Sequence, residues 1–156
     1  MHEVSLGESI QDYISGREIE NTTYEDLRQG IAQLLVEEKG YPKDQLCSKV
    51  PVQFEIDGNN FCRLLDVVAY NQDNVPLIVF LFCSGAVSTY IKEAVCAARL
   101  HPEKPAKLAL VTDTREASLI RVADGHILEQ GGYHQIPAWD RLLQIAQKCP
   151  FFALKA

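Results

Sequence analysis

The sequence predicts a mixed α/β domain in which a meander of antiparallel strands is followed by a crossover helix and further strands. Three observations support this. Apolar residues recur at helical spacing from Thr23 to Lys39, apolar and polar residues alternate from Val50 to Ile56, and the run from Leu77 to Cys83 is apolar on both faces. A strand that is apolar on both faces belongs in the centre of a sheet. Because no linker or repeat interrupts the chain, we expect one domain over residues 1–156.

The N-terminal extension, residues 1–22, is expected to contain a short amphipathic helix. Apolar residues between Ser5 and Ser15 fall at helical spacing, and Gly16 follows as a helix-ending residue. The core of the domain, residues 23–156, is expected to begin with the long helix from Thr23 to Lys39. Polar capping residues precede this helix and acidic residues fill its first turn, as a helix start requires.

The remaining elements follow from the same two periodicities and from the turn residues between them. In chain order they are strands at Val50–Ile56, Phe61–Tyr70 and Leu77–Cys83, a helix at Ser88–Leu100, strands at Lys107–Thr112, Ser118–Val122 and His126–Leu128, and a helix at Ala138–Lys148.

The composition is that of a globular protein that does not enter a membrane. Apolar residues make up 47% of the chain and charged residues 23%. The longest apolar run, from Pro76 to Cys83, has the length of a strand, whereas a transmembrane helix needs about 20 residues. The first residues also lack the charged-then-apolar pattern of a signal peptide. We therefore expect a cytoplasmic location and no membrane partner.

The cysteines predict reduced thiols that are mostly buried. Their number is odd and no two are spaced as C-x-x-C, which argues against a disulfide framework and a zinc site. Free cysteine is among the most buried residue types. The five are Cys47, Cys62, Cys83, Cys96 and Cys149.

Charge is unevenly distributed along the chain, whose formal net charge is −6. Residues 1–44 contain ten acidic and four basic side chains, whereas residues 88–122 contain six basic and four acidic ones. Proteins that bind DNA without sequence preference normally present a basic surface, which the chain as a whole does not. If nucleic acid is bound, we expect the more basic region to bind it. Its candidate residues are Lys104, Lys107, Arg115 and Arg121.

Five short stretches of the sequence resemble one known family. They are Asp-Tyr-Ile-Ser-Gly at 12–16, Glu-Asp-Leu-Arg-Gln at 25–29, Leu-Val-Glu-Glu-Lys-Gly-Tyr-Pro-Lys at 35–43, Asp-Val-Val at 66–68 and Pro-Leu-Ile-Val at 76–79. These stretches are similar to the N-terminal domain of type I restriction enzyme R proteins, a branch of the PD-(D/E)xK nuclease superfamily. The resemblance implies a restriction-endonuclease-like fold, in which a mixed β-sheet core is flanked by helices.

The resemblance also implies where a nuclease site would lie. In the family, an aspartate on one strand and a Glu-x-Lys pair on the next hold Mg²⁺ and orient the attacking water. Here Asp66 is present, but the glutamate position falls on Leu81 and the lysine position on Cys83. Leucine offers no ligand oxygen, and hard Mg²⁺ prefers oxygen to sulfur. Asp66 is therefore expected to be the remnant of a degenerate site.

A migrated site is the alternative that the sequence leaves open. It would combine Asp66 with Glu93 and Lys92 from the helix after the central strand, and Glu25 or Glu55 would assist as further metal ligands. Adjacent residues on a helix diverge by about 100°. Lys92 and Glu93 therefore cannot both point squarely at Asp66.

Two functions from different classes follow. The first is a non-catalytic module with a structural, partner-binding or weak nucleic-acid-binding role, which needs no cofactor and whose partner is DNA or another protein. The second is an active DNA endonuclease with migrated catalytic residues, which would be a deoxyribonuclease dependent on Mg²⁺ or Mn²⁺. Leu81 and Cys83 favour the first. The sequence does not define the oligomeric state. Phe151 and Phe152 are expected to anchor the C-terminal segment on the core, with a partner-binding hook as the alternative.

Overall fold

The computed structural model of the chain describes residues 3–153, without the side chain of Ile56. Within that range the order of elements confirms the predicted meander, crossover helix and further strands, and none of the helices is long and apolar enough to cross a membrane. The elements are β1 (Ser5–Gln11), β2 (Glu18–Thr22), α1 (Glu25–Gln33) with a following π-helical turn (Leu34–Glu38), a 3-10 turn (Lys43–Gln45), β3 (Leu46–Ile56), β4 (Asn59–Tyr70), β5 (Pro76–Phe82), α2 (Val87–Arg99), β6 (Leu108–Thr112), β7 (Glu116–Arg121), β8 (Ile127–Gly132), a second 3-10 turn (Tyr133–Gln135) and α3 (Trp139–Gln147).

Six of the strands form one mixed sheet in the order β3-β4-β5-β6-β7-β8. Neighbouring strands are antiparallel except β5 and β6, which are parallel and are connected through α2. A parallel pair requires such a crossover connection. The strand β5 lies between β4 and β6, as predicted for an all-apolar strand, and its residues from Pro76 to Leu81 are all buried.

Helices cover both faces of the sheet, and each face has its own apolar core. On one face, α1 and α3 pack against residues such as Ile78, Phe80 and Leu110. On the other face, α2 packs against the intervening residues, among them Val79 and Leu81. The division follows from the alternation of side chains along a strand. We refer to these two cores as the α1-side core and the α2-side core.

The predicted N-terminal helix is wrong, because β1 and β2 form an antiparallel hairpin in its place. Asp12 closes the turn between them, since its carboxylate accepts hydrogen bonds from the backbone N–H of Ser15 at 3.0 Å and from the Ser15 hydroxyl at 2.7 Å. Gly16 completes the turn with a φ of +73°, which glycine adopts without steric cost. The apolar residues that suggested a helix include Leu6, which is largely exposed, so no core enforces the helical spacing.

The prediction that the cysteines are mostly buried is also wrong, although all five are free. Cys149 is buried and Cys83 is half-buried, whereas Cys47, Cys62 and Cys96 are exposed. Each exposed cysteine lies in an element whose periodicity gives it a solvent side. Cys96, for example, follows the buried Val95 on α2. The burial of each cysteine therefore depends on which side of its helix or strand it occupies, and not on its residue type.

Candidate functional site

The strand pair β3–β4 changes its packing at Asp66, and the change places this carboxylate beside α1. Val67 belongs to the α1-side core, and strict alternation would place Leu65 there as well. Leu65 belongs instead to the α2-side core. On β3, the residue between the partners of Leu65 and Val67 is Lys49, whose φ of 56° is left-handed. Both strands are therefore irregular at the level of Asp66.

Both carboxylate oxygens of Asp66 accept hydrogen bonds from within the protein. Oδ1 accepts from Nε of Arg28 at 2.9 Å, and Oδ2 accepts from the backbone N–H of Phe82 at 2.9 Å. Toward the C-terminal end of β5, the last residue pair between β4 and β5 is Val67 with Phe80. Phe82 therefore lies beyond the hydrogen-bonded pairs of these two strands, and its N–H is bound by the Asp66 carboxylate instead. Asp66 is only 7% exposed, so these two partners define its environment.

Arg28 is the centre of the site. It projects from α1, is 3% exposed, and contacts three carboxylates. Besides Asp66, its guanidinium donates through Nη1 to Glu25 at 2.9 Å, and through both Nη atoms to Glu3. Lys49 adds a second cation, because its Nζ lies 2.6 Å from Oε1 of Glu25. We call these five residues the Arg28 cluster.

Burial and charge act in opposite directions on the ionisable groups of the Arg28 cluster. Burial raises the pKa of Asp66 above its ordinary value, against the opposing effects of the Phe82 N–H and the Arg28 guanidinium. Burial also disfavours the charged form of Arg28, but the hydrogen bonds to Glu3 and Glu25 and the charge of Asp66 outweigh it and raise the pKa of Arg28. Arg28 therefore stays protonated and balances carboxylates that would be costly to bury alone.

The two positions of the degenerate Glu-x-Lys pair contribute no ligand oxygen. Leu81 is 1% exposed and lies in the α2-side core. Cys83 is half-buried, and its thiol contacts the carbonyl oxygen of Gly85 at 3.5 Å. Burial raises the pKa of the Cys83 thiol, so its neutral form is favoured.

A cleft of about 430 Å³ opens beside the Arg28 cluster. Of the residues predicted to form a migrated site, Glu93 lines this cleft together with Asp66. Glu93 is paired with Arg63 at 2.6 Å and does not reach Asp66 through a hydrogen bond. The lining residues are Glu3, Tyr24, Leu27, Arg28, Cys62, Arg63, Leu64, Asp66, Phe82, Cys83, Ser84, Tyr90 and Glu93.

The other predicted ligands are placed elsewhere or are already bound. Lys92 is exposed on α2 and does not line the cleft. Glu55 is exposed near the tip of the β3–β4 hairpin and lines a separate depression. Glu25 joins Asp66 only through Arg28, which contacts both.

The residues at this site do not fit a divalent metal ion. Mg²⁺ requires several oxygen ligands with free lone pairs. Each oxygen of Asp66 already accepts one hydrogen bond, from Arg28 or Phe82, and those of Glu25 are bound by Arg28, Lys49 and Gln29. The Arg28 guanidinium contacts Asp66, Glu25 and Glu3, so a second cation among them would be repelled. Across residues 3–153, no group of three or more His, Cys, Asp or Glu side chains is arranged to hold a metal ion.

The four basic residues predicted to contact nucleic acid are not all at one end of the structure, because Lys107 lies beside Arg121 whereas Arg115 does not. Lys104 and Lys107 both lie against the ring of Phe151. Arg121 is paired with Asp124 at 2.7 Å. Arg115 precedes β7 and is exposed at the other end of that strand from Arg121.

Sequence reasoning missed the role of Arg28 and Lys49. A signal for Arg28 was present, because it follows Glu25 by three residues and both fall on the inward face of α1, together with Ile31 and Ala32. A charged pair on the apolar face of a helix indicates a buried polar network. No comparable signal marks Lys49, whose contact depends on the local irregularity of β3.

The six-stranded mixed sheet, its crossover helix and the aspartate on β4 together define an α/β domain of the restriction-endonuclease-like class. A family model, type I restriction enzyme R protein N terminus, matches residues 23–137. The chain belongs to this family, as the sequence predicted.

Comparison of structures supports the same fold. The chain is similar to part of the solved cryo-EM structure of the DrdV–DNA complex, with a TM-score of 0.50 and 18% sequence identity over 80% of the present chain. The chain spans 12% of the length of that protein. A search of curated proteins gave no match.

Proposed function

We propose that this chain is a member of the type I restriction enzyme R N-terminal family that does not cleave DNA and that keeps the fold as a binding module. Nucleic acid is the proposed ligand, at low affinity, and the proposed location is the cytoplasm. The observation that carries the proposal is the pairing of the buried Asp66 with the Arg28 guanidinium, which also contacts Glu3 and Glu25.

The guanidinium of Arg28 supplies the positive charge that a metal ion would otherwise supply. It is tethered to α1 and donates hydrogen bonds to three carboxylates, so it offers no open position for a water molecule. A metal ion generates a nucleophile by lowering the pKa of its bound water. A guanidinium does not do this, because it donates hydrogen bonds and has no coordination site at which a water molecule could be activated. We therefore infer that the Arg28 cluster stabilises the fold and does not hydrolyse phosphodiesters.

A binding role is supported by the family and by the similar structure. The family is one of restriction enzymes, and the similar structure is a complex with DNA. The present chain is similar in fold to part of that complex over 80% of its own length. Its net charge of −6 argues for weak binding confined to a local basic surface.

The proposal is tested by incubating the purified chain with supercoiled plasmid and with single-stranded DNA, in Mg²⁺ and separately in Mn²⁺. We expect no nicking by the chain above a blank that contains metal alone. Asp66→Asn is the matched variant. Nicking by the unmodified chain that Asp66→Asn abolishes, and that Asp73→Asn retains, would refute the proposal. Asp73 is the control because it is an exposed aspartate in the β4–β5 turn.

One observation keeps the nuclease alternative open. Glu93 and Asp66 line the same cleft, so a rotation of Glu93 away from Arg63 would bring a second carboxylate toward Asp66. That alternative requires metal-dependent nicking that Glu93→Gln also abolishes. Arg63→Ala, which frees Glu93, would then increase it.

A further inference from the structure

The last described residues of the chain contact three basic residues near the C-terminal end of α2, of which Lys104 is exposed and Arg99 and Lys107 are half-buried. Residues 149–153 have no regular secondary structure and run over these side chains; we call them the C-terminal strap. Nζ of Lys104 lies 3.9 Å from the ring centroid of Phe151, and Nζ of Lys107 lies 4.7 Å from it. The guanidinium carbon of Arg99 lies 4.0 Å from the ring centroid of Phe152.

These three cations contact aromatic rings and are not paired with carboxylates. Arg99 also donates to the carbonyl oxygens of Val122 at 3.0 Å and Ala123 at 3.4 Å, and Nζ of Lys107 donates to that of Ala146 at 3.0 Å. In the part of the chain that the structure describes, none of the ion pairs includes Arg99, Lys104 or Lys107. A cation over a ring keeps its full charge, so the strap contacts three positive charges without neutralising them. In a chain of net charge −6, three cations against two adjacent aromatic residues form a local basic group.

The strap is held almost entirely by side chains. The backbone N–H of Cys149 donates to the carbonyl of Ala146 at 3.1 Å, and beyond it residues 150–153 make no backbone–backbone hydrogen bond within the described structure. Phe152 packs against the α2-side core, whereas Phe151 contacts the two lysines. Segments with few backbone hydrogen bonds open at low free-energy cost.

The three basic residues do not line the cleft beside the Arg28 cluster. The helix α2 lines that cleft with Tyr90 and Glu93, and Arg99 lies six residues, or about 9 Å along the helix axis, beyond Glu93. The basic surface is therefore distinct from the cleft.

We propose that Arg99, Lys104 and Lys107 form a binding surface for the phosphate backbone of nucleic acid, and that the C-terminal strap covers this surface until the nucleic acid displaces it. The proposal rests on the binding role proposed above and names its location and its regulation. When the rings are displaced, the Lys104 ammonium has no remaining hydrogen-bond partner among the described residues, and Arg99 and Lys107 keep their carbonyl contacts while their charges can attract phosphates. Three such contacts give a measurable dependence on salt, because each phosphate contact adds about 0.9 to the slope of log K against log salt concentration.

The test measures binding of a short fluorescent DNA duplex of arbitrary sequence to the full chain and its variants by anisotropy. Phe151→Ala/Phe152→Ala should bind about tenfold more tightly at low salt than the unmodified chain, which corresponds to a surface open about one tenth of the time. Adding Lys104→Ala/Lys107→Ala in that background should remove the gain and lower the salt slope by about two.

Matched controls separate the strap from general effects of aromatic or lysine loss. Phe54→Ala/Phe61→Ala removes another aromatic pair, stacked at 5.7 Å on the β3–β4 hairpin, and should leave the affinity unchanged. Lys43→Ala/Lys92→Ala removes two other lysines, of which Lys43 also lies over a ring, and should not reverse the gain. If the double phenylalanine variant loses cooperative unfolding, Phe151→Ala alone should give an increase in the same direction.

An unchanged affinity in Phe151→Ala would overturn the strap proposal, as would equally tight binding of polyglutamate, which carries negative charge without phosphate. Neither result bears on catalysis. Cleavage of the duplex by the same samples in Mg²⁺ would instead overturn the proposed absence of nuclease activity and leave the strap proposal standing.

Discussion

Replacement of Arg28 by alanine tests whether the Arg28 cluster holds the fold together. The substitution removes the hydrogen bonds that the guanidinium donates to Glu3, Glu25 and Asp66, and two of those carboxylates are almost completely buried. Breaking a buried ion pair by removing one partner costs about 3–5 kcal/mol, because the remaining charge is left uncompensated.

The structure places Arg28→Ala at the lower end of that range. Glu25 keeps Lys49 at 2.6 Å and Gln29 at 3.1 Å, and Asp66 keeps the backbone N–H of Phe82. We therefore expect a loss of about 3 kcal/mol in the free energy of unfolding at pH 7. With a urea dependence of about 2 kcal/mol/M, the midpoint of unfolding shifts by about 1.5 M.

The measurement is equilibrium urea unfolding followed by circular dichroism. Arg17→Ala is the control, since Arg17 is exposed in the β1–β2 turn and should change the stability by less than about 0.5 kcal/mol. A double-mutant cycle with Asp66→Ala should give a coupling energy between Arg28 and Asp66 of more than about 1 kcal/mol. A loss below about 1 kcal/mol for Arg28→Ala, or no coupling, would show that the cluster does not stabilise the fold.

Three further predictions concern other parts of the structure. Glu3→Gln should lower the free energy of unfolding at pH 7, and the difference from the unmodified chain should vanish as the pH falls below 4.5. The reason is that the hydrogen bond from Arg28 lowers the pKa of Glu3, so the stability from its charge is lost as the pH falls through the folded-state pKa. Unfolding curves at several pH values measure this, and a difference that stays constant with pH would contradict it. Tyr41→Phe should cost about 1 kcal/mol in urea unfolding, because the buried hydroxyl donates to the carbonyl of Pro137 at 2.9 Å, whereas Tyr90→Phe at the cleft should cost less. Gly30→Ala should stabilise the chain by about 0.5–1 kcal/mol, since Gly30 lies within α1 and an added Cβ meets no atom within 4 Å; a lower melting temperature in calorimetry would be the contrary result.

The core of the fold could be predicted because its elements carry strong periodic signals. The strand β5 is apolar on both faces, and the helix from Thr23 repeats apolar residues every three to four positions, so burial alone determines the structure of each. The hairpin β1–β2 could not be predicted in this way. Its residues are mostly exposed, and its shape depends on hydrogen bonds of Asp12 and on the positive φ of Gly16.

The candidate site could be predicted only in part, for a related reason. Asp66, Leu81 and Cys83 were assigned because a family resemblance fixes their positions along two strands. The partner of Asp66 is Arg28, 38 residues away, and no local pattern connects the two. Only the packing of α1 against the irregular point of β4 brings them together. Long-range pairs of this kind are set by tertiary structure, which sequence periodicity does not encode.

The Arg28 cluster is balanced by a guanidinium that is covalently part of the chain, and not by a metal ion that could exchange and bind water. A buried carboxylate such as Asp66 requires a positive partner or becomes protonated. With Leu81 in the α2-side core, no second carboxylate stands beside Asp66 on β5 to share a metal ion with it. The guanidinium of Arg28 provides the compensation permanently and connects Glu3, α1 and β4. A metal ion would provide the same charge together with water that it can activate. Under the proposed function, the cluster thus keeps the charge compensation of a metal site without its reactivity.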